Sequence, residues 1–110
     1  MRTAGAALLL LFATPAEPSG FFYSGNRVYE FCGAARSYSY SRDMCVSYVA
    51  GAVDGLDTLP VKTYCFPTSV TIGQVADIFT NRLTAKPEER HEPAAFILYR
   101  ALVEAFPCRR

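Results

Sequence analysis

Most of the chemistry this 110-residue chain could perform rests on four cysteines, Cys32, Cys45, Cys65 and Cys108, and one histidine, His91. A thiolate beside an imidazole would make a nucleophile, and the same groups could hold zinc. No two cysteines have the C-x2–4-C spacing of a structural zinc centre, and His91 has no second histidine to share a metal with. His91 does stand among Glu88, Glu89 and Glu92, residue types that could form an acid–base or metal cluster. No glycine-rich phosphate loop and no G-x-S-x-G elbow accompanies it. The residues point away from an enzyme, and no cofactor or metal is expected.

Recognition is the other chemistry available. Arg36-Ser37-Tyr38-Ser39-Tyr40-Ser41-Arg42 has the composition of a binding loop. Tyrosine gives large contact area with few rotors, serine adapts, and arginine anchors carboxylates. Arg36, Tyr38, Tyr40 and Arg42 are therefore candidate partner-binding residues, although a solvated connector or a short extended stretch fits the same composition. Residues 84–92 (TAKPEERHE) form a second exposed candidate, charged and braced by proline. Glu88, Glu89 and Arg90 are its contact candidates, against the reading of an ordinary solvated turn.

Export fits the beginning of the chain. Arg2 precedes the apolar run Ala4–Ala13, which is too short to span a bilayer. Thr14-Pro15-Ala16 then supplies small residues for signal peptidase, so residues 1–16 are expected to be a signal peptide and residues 17–110 the mature domain. No later hydrophobic stretch is long enough to cross a membrane, and the formal net charge of +1 gives nucleic acid or an anionic membrane nothing to bind. An even cysteine count in a short exported chain reads as two disulfides, which leave no free thiol.

The elements that must position these residues are helices. Val28, Phe31, Cys32 and Ala35 recur at helical spacing over about Asn26–Ala35. Cys45, Tyr48, Val49, Ala52, Val53 and Leu56 do so over Asp43–Thr58. Thr71 and Gln74 have the spacing of a capping box, with Val70 and Val75 as its hydrophobic staple. Ile72, Val75, Ala76, Phe79 and Leu83 face one way until Lys86-Pro87 ends the run. Pro93 suits the first position of a fourth helix, which buries Ala94, Ile97, Leu98, Ala101, Leu102 and Ala105 and stops at Pro107. Apart from the short Tyr/Ser alternation, no segment reads as a strand. The class is all-α, a small four-helix bundle.

Cys65-Phe66-Pro67 and Phe106-Pro107-Cys108 are near mirror images. Proline halts a helix and holds its neighbours extended, phenylalanine can plug a bundle end, and cysteine can tie that end down. Four cysteines permit three connectivities. If the helices alternate up and down, the simplest is Cys32–Cys45 and Cys65–Cys108, worth about 3 and about 4 kcal/mol by loop-closure entropy. Gly51-x-x-x-Gly55 would let a helix approach closely, first within the bundle and otherwise at a dimer seam. Asp54 and Asp57 lie near a helix C-terminus, where the dipole disfavours them, so an arginine such as Arg82 or Arg100, or otherwise a partner, should compensate.

Taken together, these blocks resemble the Rap1a/Tai family of immunity proteins. The resemblance runs through Gly25-Asn26, Phe31-Cys32, Cys45 to Asp54 (CVSYVAGAVD), Cys65-Phe66-Pro67, Val70 to Gln74 (VTIGQ), His91 to Ala95 (HEPAA) and Ala105 to Cys108 (AFPC). It implies a helical periplasmic protein that binds a toxin, in the best-known members a peptidoglycan amidase delivered by type VI secretion. Some members are similar in forming homodimers. The matching positions fix a framework of cysteines, prolines and caps rather than a contact surface. A different class, a periplasmic acid-stress chaperone, would need carboxylates whose protonation opens the fold, and Glu88, Glu89 and Glu92 cluster in one loop.

Overall fold

The computed structural model describes residues 20–34 and 38–109. The expected signal peptide, Ala35 and the candidate Arg36 lie outside the described residues. Among those described, four helices form: α1 (Gly25–Cys32), α2 (Ser39–Leu56), α3 (Ile72–Ala85) and α4 (Ala94–Ala105), with a 3-10 turn at Pro87–Glu89. Among the described residues there is no strand, only two isolated antiparallel bridges, Ser24 with Pro93 and Tyr64 with Pro107. The all-α bundle is as expected.

The helix boundaries follow from local chemistry. Ser24 is extended and its hydroxyl accepts from the Arg27 amide at 3.2 Å, which starts α1. The helix ends at Cys32, before the expected Ala35, with Gly33 as its C-cap. α2 begins four residues before the expected Asp43. Tyr38 is its extended N-cap, and the Arg42 amide donates to the Tyr38 carbonyl at 3.1 Å. Half of the expected Tyr/Ser loop is thus the first turn of α2. Thr71 and Gln74 form the full capping box, at 3.2 and 2.9 Å. α3 stops at Ala85, as Pro87 requires. Pro93 is the cap of α4 rather than its first residue.

One core joins all four helices. Val28, Phe31, Val49, Val53, Val75, Phe79, Leu83, Ile97, Leu98 and Leu102 are buried in a single cluster. Each such side chain contributes about 1.5–3 kcal/mol by leaving water. Ile72 and Ala105, placed on the buried stripes by periodicity, are exposed because they occupy helix ends that project past the core. Both disulfides form in the simplest pairing, Cys32–Cys45 and Cys65–Cys108.

Arg42 pairs with Asp77, Cys45 meets Thr80 and the Tyr48 ring stacks on Phe79, so the first half of α2 packs across α3.

The mirror-image triplets form a clasp. The Cys65 amide donates to the Phe106 carbonyl at 2.8 Å beside the Tyr64–Pro107 bridge. The Phe66 and Phe106 rings meet edge to face at 5.2 Å, and the disulfide closes the unit. Tyr64, 1% exposed, lies beneath with its hydroxyl donating to Asp57 at 2.9 Å. Burial and that carboxylate push the Tyr64 hydroxyl well above the ordinary tyrosine pKa.

Residues 90–94 act as a second fastening, across the start of α1. The Gly25 amide donates to the Glu92 carbonyl, Asn26 to Arg90, and Ala94 to the Tyr23 carbonyl, at 2.7–2.9 Å. These bonds satisfy helix-terminal amides that α1 and α4 cannot satisfy internally. Gly25 permits the approach: a Cβ there would stand 2.6 Å from Ile97 Cδ1 and 2.9 Å from Arg90 Cα.

Candidate partner-binding surface

The start of α2 and the start of α3 lie side by side. Arg42 on α2 donates to Asp77 on α3 at 2.8 Å, and its guanidinium also lies over Gly73, where a Cβ would be 3.1 Å away. Tyr38, one turn before Arg42, is 65% exposed at the same end. Asp77 also lines an apolar groove of about 460 Å³ with Pro67, Ser69, Val70, Gln74, Ile78 and Phe106. Asp77 joins the charge pair to the groove, and Tyr38 stands exposed one turn before Arg42, so this end of the bundle offers a strip with an aromatic, a charge pair and an apolar recess.

Only some of the sequence candidates belong to this strip. Tyr40 is 74% exposed, but two residues along a helix is a turn of about 200° from Arg42, so it faces elsewhere. Glu88 is exposed on the 3-10 turn. Glu89 is held by internal partners, accepting from Arg82 at 3.0 and 2.8 Å and pairing with Arg100 at 3.2 Å. The Arg82 guanidinium holds the Glu89 carboxyl below the usual carboxylate range, and Glu89 in turn raises Arg82. Arg100 also bonds Glu92, and Arg82 reaches Glu104. Arg90 stacks on the Tyr29 ring at 3.8 Å and donates to the Leu83 carbonyl at 2.6 Å. These groups fasten α3, the 3-10 turn and α4 together.

The remaining expectations resolve plainly. Arg82 and Arg100 do not compensate Asp57, because the glutamates occupy them; Asp57 pairs instead with Lys62 at 3.3 Å and accepts from Tyr64. Asp54 is exposed and has no ion pair among the described residues. Gly51 and Gly55 are not packing points within the bundle: both are exposed, with nothing within 4 Å of a Cβ. His91, the histidine of the acid–base or metal reading, is exposed. Among the described residues no three or more His, Cys, Asp or Glu side chains gather as metal ligands would.

Sequence reasoning missed the groove. Its one readable signal is Ile78, an apolar residue outside the stripe that α3 turns toward the core. Pro67, Val70 and Phe106 were read as framework, which they are, and their outer edges nonetheless line the recess.

A family model described as Rap1a immunity proteins matches residues 24–108. No curated protein and no solved structure matches the chain. The matched segment starts at the residue that caps α1 and ends at the last disulfide cysteine, so it coincides with the fastened bundle.

Proposed function

The chain belongs to the Rap1a immunity protein family, and on that premise we propose that it binds and sterically inhibits a cell-wall-degrading effector of the peptidoglycan amidase type. Delivery of that effector by type VI secretion would bring it to the periplasm, where an antidote must meet it. Two disulfides suit that oxidising compartment. The observation that carries the reading is the family match over residues 24–108.

Inhibition on this reading is stoichiometric. A rigid surface covers the toxin's cleft and keeps cell-wall substrate out, without chemistry of its own. The strip formed by Tyr38, Arg42, Asp77 and the groove is the surface assigned to the contact. Tyrosine and arginine are the anchors that dominate interfaces, and an apolar recess beside them accepts a partner's side chain. The disulfide between Cys32 and Cys45 pre-orders the start of α2, which lowers the entropy lost on docking.

Affinity capture tests the reading. Oxidised mature protein should retain, in stoichiometric amount, a peptidoglycan hydrolase encoded beside it, as identified by mass spectrometry. Replacing Tyr38 and Arg42 by alanine should abolish retention. A hydrolase held equally by that variant would move the interface, and no hydrolase retained would count against the immunity role.

A further inference from the structure

The two disulfides differ in their access to solvent. Cys32 and Cys45 are 1% and 0% exposed, packed inside the core cluster between α1 and α2. Cys65 and Cys108 are both exposed, outside the core. Thiol–disulfide exchange requires a thiolate to reach a sulfur, so a reductant meets the two bonds with very different access. The exposed bond also holds Pro67 and Phe106, which line the groove.

We infer that Cys65–Cys108 is a redox-sensitive clasp, opened by a dithiol reductant while Cys32–Cys45 stays closed, and that its opening reshapes the groove beside Asp77. The exchange is balanced by the dithiol. Its thiolate attacks one sulfur of the clasp, forming a mixed disulfide and releasing the other cysteine as thiolate, which takes up a proton. The second thiol of the reductant then displaces the remaining cysteine, so the clasp gains two electrons and two protons as the dithiol becomes a disulfide.

The surroundings make the opening local and reversible. The Tyr64–Pro107 bridge, the Cys65–Phe106 hydrogen bond and the Phe66–Phe106 ring contact flank the bond. The Thr63 and Tyr99 hydroxyls, 2.6 Å apart, tie the same segment to α4. These contacts keep the two thiols near each other for re-oxidation. They hold Phe106 less firmly than the covalent bond does, so the groove loses its fixed wall. The consequence for partner binding rests on the proposed immunity role; the selective opening does not.

The test begins without any partner. Oxidised protein is titrated with dithiothreitol at neutral pH, quenched with iodoacetamide and mapped by mass spectrometry, with hydrogen exchange followed in parallel. Cys65 and Cys108 should be alkylated together at about a tenth or less of the reductant that exposes Cys32 and Cys45. Exchange should rise at the Cys65 amide and leave α1 and α2 unchanged. Alkylation of all four cysteines together, or of Cys32 and Cys45 first, overturns the clasp; unchanged exchange at Cys65 overturns the reshaping. Where the oxidised protein retains a hydrolase, the Cys65→Ser/Cys108→Ser double variant should bind it at least about tenfold more weakly with its helical circular dichroism intact. Equal affinity overturns the coupling to the groove. Failure of the oxidised protein to retain a hydrolase counts against the immunity role alone, because the alkylation order is read without it.

Discussion

Glu89 joins three pieces of the bundle through one carboxylate. Its side chain is 16% exposed and is met by Arg82 from α3 and Arg100 from α4. Because its folded pKa is depressed, it contributes stability above its unfolded value, near pH 4.3, which is lost as pH falls through the depressed one. Glu89→Gln should therefore cost about 1–3 kcal/mol at neutral pH and flatten the acid limb of the stability curve. Urea unfolding between neutral pH and about pH 3 checks both effects; an unchanged acid limb would assign the acid sensitivity to other groups. Gly25 is constrained by space rather than by charge. A methyl group there meets Ile97 and the Arg90 backbone, and backbone gives way less readily than a side-chain end. Gly25→Ala should destabilise by about 1–3 kcal/mol, whereas Gly51→Ala and Gly55→Ala, with open space at both positions, should stabilise by about 0.5–1 kcal/mol each. Thermal melts of the three variants test the contrast.

At the scale of elements, the fastenings were more legible than the boundaries. The capping box at Thr71 and the stop at Pro87 could be read because each depends on a few adjacent residues. The disulfide pairing came out as the simplest connectivity. The start of α2 could not be read, because Tyr-Ser-Tyr-Ser carries no local preference for a helix. What holds that turn is Arg42 reaching Asp77, thirty-five residues away in sequence. The internal roles of Glu89 and Arg90 were hidden for the same reason: a charged loop looks solvated until its partners on other helices are known. The groove depends on the mutual placement of three segments, so only Ile78 pointed to it. The disulfides carry a prediction at this scale. Loss of Cys65–Cys108, which closes the longer loop, should cost about 4 kcal/mol, and loss of Cys32–Cys45 about 3 kcal/mol plus whatever cavity its buried sulfurs leave. Denaturant midpoints of the two double-serine variants would order them.

For the whole molecule, the question is whether this bundle works folded or opens to work. An acid-activated chaperone would expose its core reversibly at about pH 2–3 and bind a hydrophobic dye there. An immunity protein works from the neutral, closed state, with the strip around Arg42 and Asp77 already shaped. The most direct measurement is a titration of the oxidised protein into the peptidoglycan hydrolase it is proposed to inhibit, following cell-wall cleavage at neutral pH. The account predicts that cleavage falls linearly to zero at one equivalent and that the Tyr38→Ala/Arg42→Ala variant shifts the titration to at least about thirtyfold higher concentration, two anchor truncations being worth 2 kcal/mol or more. Full hydrolase activity in molar excess of the protein would contradict it.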